Sequence, residues 1–268
     1  MTAQLRHELA KAWAARSSYA VVAAVFAVFV ASVVFMEWQG GLSGEPAAHL
    51  GRRIFSSMVM LETLTTAIVA PFIALNQVAT DRIILRSPFP STSIVSTQLA
   101  VAGVATVGLL FLSSAASLWV VLDLGGVSTG EWLVTRFLLS VFVLAFVLLG
   151  LFCSRMLRDI HMAAALLLLV LGLLLAGPLL LGPLLSHVPD AGIIIQPTLV
   201  TNPFVGMASA LDWDVFRTEL LYRWSPIAQR RFTYPSWGLV GLVYVGGAGL
   251  LYLTTVRRVS ISRFDLAS

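Results

Sequence analysis

Apolar runs of 18 or more residues recur along this chain, and they restrict its folds more than any motif does. Each run is long enough to cross a hydrocarbon layer of about 30 Å at about 1.5 Å per residue. Lipid offers the backbone no hydrogen-bond partner, so only helices and closed barrels cross it, and the period-two alternation of barrel strands is missing here. Composition agrees: of 268 residues, 58% are apolar and 11% charged, against roughly 45–50% and about 25% in a soluble domain. The expected fold class is all-α and polytopic, with six transmembrane helices at 19–36, 54–79, 94–122, 132–153, 162–185 and 237–256.

The flanks of these spans are readable as well. Residues 1–18 are expected to form an interfacial amphipathic helix, because Leu5, Leu9, Ala12 and Trp13 share one face while Gln4, His7 and Lys11 lie opposite. The basic N-terminus and the apolar stretch after it look like a signal peptide, but the stretch is long and lacks a small-x-small cleavage site, so it reads as a retained first span. Pro71 in span two removes a backbone bond and predicts a kink. The GPLLLGP run at 177–183 predicts another at the end of span five. Residues 186–236 read as an extracytoplasmic segment. Within it, Leu211 to Trp224 aligns Trp213, Phe216, Leu220 and Trp224 on one helical face, which suits a membrane surface. Residues 257–268 read as a cytoplasmic tail.

Six spans put both termini on one side, and the basic residues decide which. With the termini inside, ten of the 17 Lys and Arg residues lie inside; of the other seven, four lie in the long 186–236 segment, leaving three in short outer stretches. The orientation is N-in and C-in. The formal net charge of +4 follows from this topology and not from a nucleic-acid patch, because the basic residues sit between apolar spans.

Signs of catalysis are few. No HExxH or GxxxxGK[ST] pattern occurs, so no catalytic or ATP-binding site of those types is expected in this chain. His7, His49, His161 and His187 are isolated in sequence, which gives no metal-ligand spacing. The single Cys153 excludes an intramolecular disulfide and reads as a packed, inert thiol. Glu62 stands inside span two, where a carboxylate costs about 2.5–3.5 kcal/mol on insertion scales. Two roles are open to it: a pathway residue that meets cargo or gates, or a residue near the outer end that reaches water or an arginine such as Arg52 or Arg53. Its shallow position, eight residues from Ile54, favours the second. Arg136, four residues into span four, reads as an interfacial anchor.

The segment Thr80 to Ser93 carries the most functional information. It joins two long spans on the inner side, opens with Asp81 and Arg82, and is closed to a continuous helix by Pro88 and Pro90. Together with it, Ser93-Ile94-Val95, the outer turn Gly125-Gly126-Val127-Ser128, the Cys153-Ser154-Arg155 run and Asn202-Pro203-Phe204 occur in an order that resembles the membrane permease of type-2 ABC exporters (the ABC-2 family) over most of the chain. Two departures stand out: Ile83-Ile84-Leu85 where the family usually has Gly-Thr-Leu, and Gln98 where a lysine is common.

The resemblance implies a permease working as a dimer in the inner (plasma) membrane of a prokaryote. ATP and Mg would be bound on a separate ABC ATPase subunit, present in two copies, and no cofactor by this chain. ATPase coupling would fall to Asp81, Arg82, Arg86, Ser87 and Pro88. An outer surface for an extracytoplasmic accessory protein would include Asn202, Pro203, Phe204, Trp213, Phe216, Arg217 and Trp224. Two other functions compete: a stand-alone ion-coupled carrier, for which Glu62 is the one clear intramembrane charge, and a membrane assembly protein whose 186–236 segment docks an outer partner.

Overall fold

The computed structural model describes residues 47–80, 91–157, 159–180, 192–214 and 232–267, which are helical with short connections and contain no strand. In chain order the helices are α1 (Ala47–Thr80), α2 (Ser91–Asp123), α3 (Thr129–Met156), α4 (Ile160–Leu180), α5 (Gly192–Thr201), α6 (Pro203–Ala210) and α7 (Trp237–Ala267). By length and composition α1, α3, α4 and α7 can each cross a membrane, and α2 adds a fifth span if its two parts, Thr92–Gly108 and Ser113–Asp123, count as one. The chain is therefore a helical membrane protein that crosses the bilayer several times. The expected interfacial helix at 1–18 and the first span at 19–36 lie outside the described residues.

Five expected spans overlie helices, with shifted ends. The helix containing span two begins at Ala47, its first turns carrying the good helix formers Ala47, Ala48, Leu50, Arg52 and Arg53, which outweigh Gly51. The α3–α4 connection shrinks to three residues, 157–159. Asp159 caps α4, its carboxylate accepting from the His161 amide at 2.8 Å. The last helix does not stop at Val256. It continues to Ala267, since neither Gly nor Pro interrupts that stretch. Its 31 residues measure about 46 Å, so its final turns outrun a hydrocarbon layer of about 30 Å.

The described residues divide into two compact units: residues up to Leu61 with Gly108–Ser128, and Glu62–Val107 with the chain from Thr129 onward. In the first, the start of α1 packs on the turn after α2. Gly125 and Gly126 take φ of +73° and +80°, a conformation that costs other residues about 1–2 kcal/mol. Close approach adds a second demand, because a Cβ on Gly126 would collide with the Ala48 carbonyl and one on Gly51 with the Gly125 carbonyl. Arg52 donates to the Gly126 carbonyl at 3.4 Å, fastening the same turn.

In the second unit α3 is the core helix. Of its membrane-crossing stretch 72% is buried, against 17% for α4 and 28% for α7, so most of α4 and α7 is uncovered within the single chain. Helix α7 runs along α3, and Phe142 and Phe146 of α3 meet Tyr244 of α7 at ring separations of 4.6 and 5.8 Å. Gly150 lets α3 approach α1 closely: a Cβ there would run into the Pro71 carbonyl. Helices α5 and α6 pack against α3, α4 and α7.

Candidate functional site

Two polar constellations stand out in the second unit. The first lies between α1 and α3. Glu62 is 0% exposed, and its carboxylate oxygen sits 2.5 Å from the Arg136 guanidinium. Arg136 also stands over the Trp132 ring, 6.0 Å from its centroid, one turn back on the same helix. Thr63 and Thr66 are buried beside Glu62 in sequence, and Thr135 beside Arg136, so both helices carry polar residues at this level. Among the described residues neither Glu62 oxygen nor the Thr66 hydroxyl has an aligned hydrogen-bond donor or acceptor, and the charge of Arg136 is what compensates the carboxylate.

This arrangement gives Glu62 an arginine partner, as the outer-end reading expects, but a different one from Arg52 or Arg53: Arg136, 74 positions along the chain. Arg136 is correspondingly no free interfacial anchor, its side chain being 14% exposed. Sequence reasoning noted both residues separately. It missed the pairing because nothing local sets the rotation of α1 against α3.

The second constellation is the junction of α5 and α6. Asn202 is 3% exposed, and its amide uses all of its hydrogen-bonding capacity. The oxygen accepts from the Phe204 and Val205 amides at 2.9 and 3.3 Å, capping α6 with Pro203 at the first helical position. The nitrogen donates to the carbonyls of Leu174 and Leu175 in α4 at 3.0 and 2.9 Å. The Leu174 carbonyl needs that donor, because the residue four positions on is Pro178, which has no N–H. Tyr244 of α7 donates to the Thr201 carbonyl at the end of α5, at 2.8 Å, satisfying a terminal acceptor.

The described part of the 186–236 segment is therefore not a free polar stretch: Leu199, Val205, Met207 and Leu211 are each at most 2% exposed. The surface helix expected from Leu211 does not begin there. Residues 211–214 form a turn with Asp212 at φ +47°, and the Trp213 amide donates to the Ala208 carbonyl at 2.9 Å. The chain returns beside this turn, where the Tyr234 hydroxyl donates to Asp214 at 2.6 Å and Gln196 donates to the Thr233 hydroxyl at 3.3 Å. Phe216, Arg217, Leu220 and Trp224 lie outside the described residues, whereas Phe204 and Trp213 are half-buried.

Of the residues carried over for ATPase coupling, Asp81, Arg82, Arg86, Ser87 and Pro88 all lie outside the described residues. The helices on either side of them are described, ending at Thr80 and restarting at Ser91. Near that restart, Arg155 of α3 donates to the Gln98 side chain at 3.2 Å, which ties the first turns of α2 to the last turn of α3. Cys153, two residues back, is buried. No three His, Cys, Asp or Glu residues converge as a metal-holding group among the described residues.

No protein-family model matches the chain, and no curated protein matches it.

Proposed function

We propose that this chain is the permease subunit of an ABC-type exporter of the type-2 class, a dimeric six-span pathway with both termini in the cytoplasm. A separate ATPase pair drives it from the cytoplasmic face of a prokaryotic inner membrane. In this reading an interfacial helix at 1–18 and a first span at 19–36 precede α1, and Asp81 to Ser91 forms the element gripped by the ATPase.

The observation that carries the reading is the Asn202–Pro203 junction. The resemblance rests on connections in a fixed order, and this one ties the segment before the last span to α4 and α7 by three side-chain hydrogen bonds, while two more cap α6. The Gly125–Gly126 turn supports it in the same way, since both glycines take positive φ and a Cβ on Gly126 would collide with the Ala48 carbonyl. Glu62 and Arg136 couple α1 to α3 by a buried ion pair, so a pull on the α1 end at Asp81 would reach α3 as well.

Copurification from the native membrane tests the reading: a tagged chain brings down an ATPase, and Asp81→Arg or Arg82→Glu abolishes ATP-driven transport while leaving the folded protein intact. Transport by the purified chain in liposomes without an ATPase sinks it. The buried Glu62–Arg136 pair favours a second reading, an ion-coupled carrier, because such carriers keep charges inside the membrane. Transport that follows an imposed ion gradient and ignores ATP would select that reading.

A further inference from the structure

A pocket of about 140 Å³ opens among α3, α4, the end of α5 and α7, lined by Phe146, Leu149, Leu174, Val243, Gly247 and Leu251, with Thr201 and Tyr244 at its polar margin. We propose that it is a binding site for the hydrocarbon chain of a membrane lipid.

Chemistry selects the ligand class. The hydroxyls at the margin are already engaged: Tyr244 donates to the Thr201 carbonyl, and Thr201 donates to the Pro197 carbonyl at 3.0 Å. The rest of the lining is aliphatic or aromatic. A buried water needs two to four polar partners, roughly, and apolar cavities of about 150 Å³ stay dry and take up hydrocarbon instead. A polar or charged ligand would forfeit its own hydration here without gaining partners.

Position selects the source. Three of the lining helices, α3, α4 and α7, are membrane-crossing by length and composition, so the solvent at their outer faces is lipid. The lining residues of α4 and α7 sit next to residues turned outward: Leu173 beside Leu174, and Leu242 and Leu250 beside Val243 and Leu251, are 58–70% exposed. The pocket thus continues inward from a lipid-bathed face, and a lipid chain enters it without crossing water. Gly247 keeps it open, since a Cβ there would have no atom within 4 Å. The inference stands apart from the transport reading and is tested without ATP or cargo.

The full-length protein is placed in nanodiscs of phosphatidylcholine in which a fraction of the lipid carries a diazirine on one acyl chain, then irradiated, and the adducts are mapped by mass spectrometry. Adducts are expected on Leu149, Val243 and Leu251. Gly247→Leu, which fills the space and suits a helix better than Gly, should lower them by about ten-fold, the equivalent of roughly 1.4 kcal/mol in affinity. Adducts on the outward Leu168 and Leu169 should not change. Gly247→Ala should give an intermediate loss and carries the test if the leucine variant elutes abnormally. Absence of adducts on the lining in the wild type overturns the proposal, as does equal labelling in the variants. A contact there with a second copy in place of lipid, detected as a protein–protein adduct from a photoreactive residue at Leu251, overturns it too.

Discussion

Glu62 of α1 and Arg136 of α3 form an ion pair at 2.5 Å in which the carboxylate is wholly removed from solvent. Each charge alone is expensive in a membrane, about 2.5–3.5 kcal/mol on insertion scales, so each helix is stable in place only when the other is present. Removing one partner strands the other. We expect Arg136→Met to destabilise the purified protein by about 3–5 kcal/mol and Glu62→Gln by less, because the glutamine carbonyl still accepts from Arg136, whose side chain is partly exposed. The double variant Glu62→Leu with Arg136→Met should recover most of the loss. Thermal unfolding in detergent checks this, and strictly additive losses would show that the pair is not an energetic unit.

Asn202 does two separable jobs, which its aspartate variant divides. Asn202→Asp keeps the oxygen that caps α6 but loses the donor to the Leu174 and Leu175 carbonyls. Asn202→Leu loses both. Hydrogen exchange at Phe204 and Val205 should stay slow in the aspartate variant and become fast in the leucine one, the lost cap costing about 0.5–2 kcal/mol. Both variants should loosen α4 near Pro178, since a buried acceptor left unsatisfied costs about 1–3 kcal/mol. Normal protection of that region in both would refute the staple.

At Gly150 and Gly126 the backbone of another segment occupies the place a side chain would take. Gly150→Val should force α3 away from Pro71 at a cost of about 1–3 kcal/mol, as overpacked cores do. Gly126→Val adds the penalty of a β-branched residue at positive φ. By contrast Gly246→Ala, on an exposed part of α7 with open space around it, should be neutral or slightly stabilising. Melting temperatures of the three variants rank these effects, and equal values would contradict the close approaches.

Orientation is testable with the protein's own thiol left in place, because Cys153 is only 1% exposed. A membrane-impermeant maleimide should label Thr129→Cys in intact cells. It should label Ser268→Cys only after the membrane is opened. The reverse pattern would invert the topology that the arginine distribution implies.

How much of this was legible in the sequence differs from element to element. The helical membrane class and the approximate positions of α1, α3, α4 and α7 follow from apolar run length, because in lipid each backbone must satisfy its own hydrogen bonds. Gly125–Gly126 also showed as a turn, since a glycine pair in a polar stretch is a local signal. The helix ends were less legible: Arg257 and Arg258 looked like the start of a tail, yet charge does not terminate a helix and α7 runs on to Ala267. The packing of the 186–236 segment was hidden for a related reason. Its polar residues gave no sign that Asn202 spends its polarity on α4 and α6 while Leu199 and Met207 are buried.

What the sequence by itself determined is the set of long-range rules imposed by solvent: which stretches must be helical and which are long enough to cross. Only the tertiary structure decided which face of each helix meets which neighbour. That choice depends on helix rotation and on contacts between residues far apart in the chain, as between Glu62 and Arg136 or Pro71 and Gly150. Apolar periodicity cannot encode it when a helix is apolar all round, as α4 is, because lipid and protein interior reward the same side chains. The polar exceptions break that degeneracy, and their partners become visible only once the helices are packed.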